Sequence, residues 1–556
     1  MLRVAWIVDL VHTDLDAEVT ELRARLAESG LDDIGTPTSA AELRAADVVV
    51  VWTDRPVADD LAAALADPAV TAVFAGPTLS SADPDRVLSE ACGLLLAGTT
   101  PVHDIRVRAG HHAPESFSLV GDQHLDAGHV GEHDHLTDRL VLVDKTADDV
   151  QVLLAARVGL IDTPVLTWRP ATACAAWTPG ATTGSIASRF ATRTLVRVIR
   201  HACGVSESPN VGVGLLGYGA IGHEHSRAVR AVSGLDLVAV CATSPERRRA
   251  AAAAAPAGAT TDRAEDLLEN DDVGLIVVST PPNTHAQWAL SAIRAGKHVV
   301  VEKPFAIRTE EADEVLAEAE AAGLLAAVYQ NRRYDPDHLA LRRIVGSGAL
   351  GDIFHIETFV GGYGHPCNLW HSDEEVSGGA FYDWGSHVID QILDLVATDV
   401  DYVTAATHKL RWFDVTNADH SRVTIRFVDG TEAEFVHSDL AAALKPRWYV
   451  LGTLGAVVGQ WRTEKVVSRN DIGTLQEDIL SPADSPPVLD LYDAHGSVTR
   501  VAAPEPEPYR FHHEVADRVR LGLPMSVTGL QSRRVLAVME AARRSAADDG
   551  RPVVPR

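Results

Sequence analysis

Val211-Gly-Val-Gly-Leu-Leu-Gly217-Tyr218-Gly219-Ala220-Ile221-Gly222 reads as a continuous apolar strand running into a turn with glycines spaced Gly-x-Gly-x-x-Gly. The first glycine permits the tight turn, the second lets backbone approach a pyrophosphate, and the third lets helix and strand pack closely. Amides at the start of the following helix then hold phosphate oxygens. The stretch predicts a dinucleotide-binding α/β unit with Gly217, Tyr218, Gly219, Ala220, Ile221 and Gly222 at the cofactor. Glycine turns are common, so the flanking sequence must carry the rest of the case.

Downstream, Thr280-Pro281-Pro-Asn283-Thr-His285 follows the apolar strand Leu275 to Val278, and Val299-Val-Val-Glu302-Lys303-Pro304 follows the next. Ligands of open α/β sheets gather at the carboxyl ends of strands, so Thr280, Pro281, Asn283, His285, Glu302 and Lys303 join the expected cofactor site. Asn283 and His285 keep a second reading, because Pro-Asn-Thr also makes an ordinary turn and helix start. Further on, Gly378-Gly-Ala-Phe-Tyr-Asp383-Trp-Gly-Ser-His387-Val-Ile-Asp390 places Asp383 and His387 four residues apart, on one face if helical.

Oxidising a secondary alcohol needs a base for the hydroxyl proton and positive charge near the oxygen as hydride leaves. His387 is the expected base, Lys303 the charge on the oxygen, and Asp383 the group that orients hydroxyl or base. Singly, each has a structural reading: a strand-capping lysine, a helix cap, a core histidine. Their order on successive elements favours the chemical one.

This ordered set resembles the glucose–fructose oxidoreductase, inositol dehydrogenase and MocA (Gfo/Idh/MocA) family over roughly Val211 to Pro555. The resemblance implies a Rossmann domain, then an α/β domain whose mostly antiparallel open sheet lines the substrate site and often mediates oligomerisation, hence a homo-oligomer, a dimer or tetramer. It also implies that Lys303, Asp383 and His387 occupy catalytic positions. The expected activity is NAD(P)-dependent hydride transfer to or from a secondary hydroxyl or keto group of a sugar, polyol or glycoside. Two alternatives stay open: a glycoside-cleaving enzyme working through transient oxidation and elimination, and a non-catalytic nucleotide-binding sensor.

For the substrate, Gly361-Gly-Tyr363-Gly-His365-Pro-Cys-Asn-Leu-Trp370-His371 offers aromatic faces and hydrogen-bonding tips suited to sugar rings, with Tyr363, His365 and Trp370 joining Asp383 and His387. An exposed loop with chance aromatics reads equally well. Asn331-Arg332-Arg333-Tyr334 offers charge for an anion, although paired arginines more often serve internal salt bridges. For the cofactor, the second strand, Leu237 to Cys241, leads into Ala242-Thr243-Ser244-Pro-Glu246-Arg247-Arg248-Arg249. The carboxylate that binds the adenosine ribose in NAD-selective sites is missing there. Ala242, Thr243, Ser244 and Arg247 favour NADP, with NAD possible, since Glu246 competes for the ribose.

Upstream, short apolar runs (Val4–Val8, Asp47–Trp52, Thr71–Gly76, Leu140–Val143, Pro164–Trp168) alternate with helical patterns and predict a mostly parallel sheet. A basic helix, Arg189 to Ala202, ends the segment, and Gly204 to Asn210 reads as a linker. Pro101-Val-His-Asp104 and Ala175-Ala-Trp-Thr-Pro-Gly180 resemble ThuA-like domains, which implies a flavodoxin-like, class I glutamine amidotransferase-like fold. Neither Cys92 nor Cys174 stands in a Gly-x-Cys-x-Gly nucleophile turn, so amidotransferase activity is not expected. His124, His129, His133 and His135 fall in a polar run read as a solvated insertion rather than a metal site, with His103, Asp104, His111 and His112 read likewise; no metal is expected.

Length rules out one core: 556 residues predict three domains, at 1–205, 206–330 and 331–556. The net charge of −28 disfavours nucleic acid. Five scattered cysteines do not read as a disulfide framework, and with no membrane-length apolar run or leader pattern the expected location is cytoplasmic.

Overall fold

The computed structural model describes residues 2–9, 13–29, 31–53, 57–75, 78, 88, 91–92, 94–99, 103–109, 135–138, 141–158, 161–177, 189–205, 209–366, 370–470, 473–480, 486–504 and 506–556. Two compact units emerge, both discontinuous in sequence. One comprises Met1–Val211, Ala228–Asp236 and Glu507–Ser526, the other Gly212–Arg227, Leu237–Pro506 and Val527–Arg556.

In the second unit the quoted strand forms as Val211–Leu216, in a six-stranded sheet ordered Thr260–Thr261, Leu235–Cys241, Val211–Leu216, Leu275–Val278, His298–Val301, Ala326–Val328. The last four pair in parallel. Leu275–Val278 is buried along its whole length, as expected for a central strand covered on both faces. Each of its four aliphatic side chains contributes about 1.5–3 kcal/mol by leaving water.

The same unit holds an eight-stranded sheet ordered Val400–His408, His420–Phe427, Glu432–Ser438, Ile353–Gly361, Trp448–Gly452, Gly455–Gln460, Val488–Asp493, Val498–Val501. Only Ile353–Gly361 with Glu432–Ser438 pairs in parallel; the rest is antiparallel, as expected. Helices Trp384–Leu395 and Gly529–Ala547 cover it, and one apolar cluster runs from Val278 and Val301 through Ile389 and Val535 to Phe435 and Trp448.

The first unit departs from expectation. Its nine-stranded sheet is ordered Leu31–Asp33, Leu2–Asp9, Val48–Thr53, Ala72–Ala75, Cys174–Trp177, Ile161–Arg169, Gln151–Val158, His103–Ala109, His135–Asp138. Pairing is parallel as far as Cys174–Trp177 and antiparallel beyond it, so the sheet is mixed rather than mostly parallel. The cause is connection length: only two residues separate Gln151–Val158 from Ile161–Arg169, too few for the crossover that parallel neighbours need. Leu140 to Val143, expected in this sheet, forms Val141–Thr146 and pairs with Leu94–Thr99 in a separate ribbon.

This unit also takes a helix from the far end of the chain. Arg510–Leu521 contributes Leu521, and the turn after it Leu523, to a cluster with Leu22, Leu26, Trp177, Val196 and Ile199. Arg200 of helix Arg189–Ala202 donates to the carbonyls of Ser29, Arg520 and Leu521, each at 3.2 Å. Residues 110–134, which include His111, His112, His124, His129 and His133, lie outside the described residues, as do the side chains of His103, Asp104 and His135. No group of three or more metal-ligating side chains occurs among the described residues, and no described helix is long and apolar enough to cross a membrane.

Candidate active site

The glycine turn closes as its sequence demands. Gly217 has φ +101°, and a Cβ there would collide with the Ser279 carbonyl oxygen; a Cβ on Gly222 would collide with the Gly217 carbonyl oxygen. A Cβ on Gly219 would meet nothing within 4 Å. The middle glycine thus borders open space before helix Ala220–Ala231, which is the fit a pyrophosphate requires. Ser279, which the sequence reading missed, locks the turn: its hydroxyl donates to Gly217 O at 2.9 Å. Tyr218 is buried, its hydroxyl 3.2 Å from Ser226 Oγ.

Beyond strand Leu235–Cys241, Ser244 caps helix Pro245–Ala251 and donates to Glu246 Oε2 at 2.7 Å. Arg248 is occupied, donating to the Ala242 and Thr243 carbonyls at 2.8 Å each and pairing with Asp262 at 3.4 Å. Thr243 and Arg247 are exposed at this strand end, and Arg247 forms no ion pair with any described residue, whereas the exposed Glu246 and Arg249 pair with each other at 3.3 Å.

A cavity of about 310 Å³ lies at the carboxyl ends of the parallel strands. Ile221, Ser279, Thr280, Glu302, Lys303, Tyr329, Asn331 and Arg332 come from those ends; Trp370, His371, Tyr382, Asp383, Trp384 and His387 come from the stretch between strands Ile353–Gly361 and Val400–His408. Lys303 Nζ donates to Asp383 Oδ1 at 2.6 Å. Burial drives the Asp383 carboxyl up, but the adjacent Lys303 ammonium and its hydrogen bond outweigh it and hold the group below its ordinary value. Asp383 immediately precedes helix Trp384–Leu395 without a side-chain capping bond, which puts His387 on its first turn. Burial, then repulsion by Lys303, Arg332 and Arg447, holds the His387 imidazole well below 6.5 and therefore neutral. His387 Nδ1 is buried without a partner, and Nε2 forms no hydrogen bond with any described residue.

The supporting contacts are largely invisible to motif reading. Glu302, expected at the cofactor, lines the cavity but spends Oε1 on His225 Nε2 at 2.8 Å and Oε2 on the Lys303 amide at 3.1 Å, so it fixes the turn that presents Lys303. His285 is fully buried with Nδ1 at 2.7 Å from Pro304 O and Nε2 at 2.8 Å from Thr280 O, which makes it a strut between two loops and removes it from the cavity. Burial holds its ring below 6.5 against the pull of those carbonyls. Thr280 lines the cavity with Pro282, whereas Asn283 is exposed and neither it nor Pro281 lines the cavity.

The two arginines divide their labour. Arg333 is buried and ion-paired with Asp390 at 2.5 Å and Asp394 at 2.8 Å, tying its segment to the helix that carries His387. Arg332 lines the cavity, with its guanidinium 4.8 Å from the Trp384 ring centroid and 3.2 Å from Asp335. Of the expected substrate loop, Trp370 and His371 at its end line the cavity. Tyr363 is instead bridged to Leu440 and stands 55% exposed, and the His365 ring is held by Asp414 at 2.8 Å and meets Trp412 edge-on, so neither lines it. Cys367, Asn368 and Leu369 lie outside the described residues.

Comparison with known proteins agrees with this geometry. The family model for the GFO_IDH_MocA oxidoreductase family, with an NAD-binding Rossmann fold, matches residues 211–330, and the GFO/IDH/MocA C-terminal domain matches residues 338–458. The uncharacterized oxidoreductase YdgJ of Escherichia coli (strain K12) is 30% identical over 254 residues, 45% of this chain and 71% of that protein. The scyllo-inositol 2-dehydrogenase (NADP(+)) IolW of Bacillus subtilis (strain 168) is 26% identical over 350 residues, 60% of this chain and 93% of that one. Among solved structures, GenD2 from gentamicin A biosynthesis, in complex with NAD, superposes with a TM-score of 0.52 at 26% identity, covering 63% of this chain and 97% of its own. The glycine turn and Lys303 fall within the first matched segment and Asp383 and His387 within the second, and the chain belongs to the Gfo/Idh/MocA family of NAD(P)-binding oxidoreductases.

Proposed function

We propose that this chain oxidises a secondary hydroxyl of a sugar or polyol, or reduces the corresponding ketone, with NADP preferred over NAD. The observation that carries the reading is the Lys303–Asp383 pair in one cavity with a neutral, unpartnered His387. A nicotinamide cofactor, its pyrophosphate held by the Gly217–Gly222 turn and the helix behind it, would supply the hydride acceptor. Lys303 Nζ, fixed by Asp383, donates to the substrate oxygen and stabilises its developing negative charge. His387 Nε2 takes the hydroxyl proton, and returns it in the reductive direction. Asp383 thereby holds the lysine rather than the histidine.

The cofactor preference rests on exposed Arg247 and Thr243 at the second strand's end, and on Glu246 being engaged by Ser244 and Arg249. IolW carries NADP in its name while GenD2 was crystallised with NAD, so relatives alone do not decide it. Titrating both cofactors into the apoprotein tests it: tighter NADP binding is expected, weakened selectively by Ala242→Asp, and equal or tighter NAD binding would sink the preference. A panel of sugars and inositols, followed by nicotinamide absorbance with product analysis by mass, tests the substrate class. The expected cytoplasmic location and homo-oligomeric state belong to the same proposal, the latter open to light scattering. In the first unit, the ThuA-like reading is supported by the parallel half of the sheet and opposed by the antiparallel half.

A further inference from the structure

The cavity contains a second imidazole that hydride transfer leaves unused. His371 sits in the short turn Trp370–Ser372, whose backbone is pinned: Asn417 Nδ2 donates to His371 O at 2.8 Å, and the Thr416 and Asn417 amides donate to Ser372 O at 3.1 and 3.2 Å. Its ring lies nearly flat on Trp370, centroids 3.6 Å apart and planes at 21°. Nδ1 is sealed away from solvent with no hydrogen-bond partner, and Nε2 forms no hydrogen bond with any described residue, which leaves Nε2 as the nitrogen offered to the cavity. His387 repeats this arrangement. Burial and the Lys303 ammonium hold the His371 ring below 6.5 against the pull of the Asp383 carboxylate, so both rings are neutral bases at pH 7, with one ammonium acting on both.

A site that needed only hydride transfer would need one acid–base group. Two neutral imidazoles beside a cation that stabilises negative charge on oxygen are the parts required to enolise a ketone. We propose that His371 is the catalytic base of a second reaction at this site, the exchange of the proton on the carbon next to the substrate's carbonyl. This rests on the reading above for the place of that carbonyl, against Lys303. The C–H bond breaks, its proton goes to His371 Nε2, and its electron pair forms the C=C bond while the carbonyl oxygen becomes an enolate held by the Lys303 ammonium. Return of a proton from His371 restores the ketone, and solvent exchange on the imidazolium labels it. The step consumes no oxidant or reductant.

The test incubates the full-length protein, loaded with NADP, with a keto-inositol and with 1,5-anhydrofructose in deuterated buffer. Deuterium uptake is read by mass spectrometry, and hydride transfer to each ketone is followed in parallel with NADPH. Uptake at least about 100-fold above buffer is expected for the native protein, the usual range for a positioned base. His371→Phe, which keeps the stacking but not the base, should lose most of that acceleration, a fall at least about 10-fold larger than any accompanying fall in hydride transfer; His371→Gln should do the same and guards against a folding defect, and an equal fall in both reactions overturns the inference. Hydride transfer without uptake, or uptake unchanged in both variants, overturns the inference. Uptake without hydride transfer supports it and overturns the dehydrogenase reading, and absence of both overturns both.

Discussion

The two parallel-strand regions of this chain look alike in sequence and differ in what they build. Each alternates buried aliphatic strands with helices. In the sheet around Val211–Leu216, every described connection between parallel neighbours is a crossover, so the carboxyl ends of Val211–Leu216, Leu275–Val278, His298–Val301 and Ala326–Val328 stand together and four successive loops converge on one cavity. In the first unit, the parallel run gives way to antiparallel pairing after Cys174–Trp177, so strand ends in that half alternate in direction. Alternation of strands and helices predicts a layered sheet; connection length decides whether that sheet gathers a site.

The sharpest way to break this comparison is to disable the converging loops. Lys303→Met and His387→Asn are each expected to lower turnover roughly 100- to 10,000-fold while nucleotide affinity stays within about 2-fold, measured by steady-state kinetics and by titration. Wild-type turnover in either variant would remove the chemistry from this edge of the sheet.

Next in size is a substitution that should touch only the first unit. Leu521→Ala deletes buried methyl groups from the cluster around Leu26 and Trp177, at a cost of about 2–5 kcal/mol. Calorimetry should show the transition of that unit moving down while cofactor affinity holds; a matching loss of affinity would mean that the two units are energetically one.

A smaller effect separates structural from chemical carboxylates at the cavity. Burial pushes Asp335 up to about 7, against the pull of Arg332. A carboxyl raised in the fold favours folding while protonated, so its contribution is present in full below about pH 4 and is lost as pH rises to about 7. Asp335→Asn should therefore gain stability relative to the native protein across that window, by at most about 1.4 kcal/mol per pH unit, and level off above it. Denaturant midpoints that run parallel from pH 4 to 8 would contradict this.

The smallest expected change is in the pH profile of oxidation. His387 must be neutral to accept a proton, and its depressed value means that activity is lost only as pH falls well below 6.5. Turnover limited by this group should vary less than about 2-fold between pH 6.5 and 8. A limb centred at 6.5 would place the imidazole in water.

Legibility followed chemistry. The glycine turn, Lys303, Asp383 and His387 could be read as one cluster because the carboxyl ends of successive parallel strands stand together, and strands Val211–Leu216 and Leu275–Val278 and helix Arg189–Ala202 emerged with the bounds their apolar or basic patterns predict. Ser279 and His225 could not, since a buried serine or histidine carries no periodic signal and its partner lies far along the chain, whereas Arg333 took the internal salt bridges that a pair of arginines commonly makes. His285 shows the converse failure: a motif position invites a ligand role, yet two carbonyls within 2.8 Å occupy both ring nitrogens. Tyr363 and His365 had suitable chemistry, but strand and ion-pair geometry turned them elsewhere.

Helix Arg510–Leu521 also sets a timetable. Leu521 and Leu523 complete a core whose other members are almost all made before residue 205. At about 5–20 residues per second, the roughly 300 residues between those two points take on the order of 15–60 s to synthesise. For that interval the earlier-made of the two units waits with an open apolar seat, while the oxidoreductase strands emerge and can already pair. The earlier-made unit is thus the later to finish folding, and its unfilled seat needs shelter from neighbouring chains on a crowded polysome.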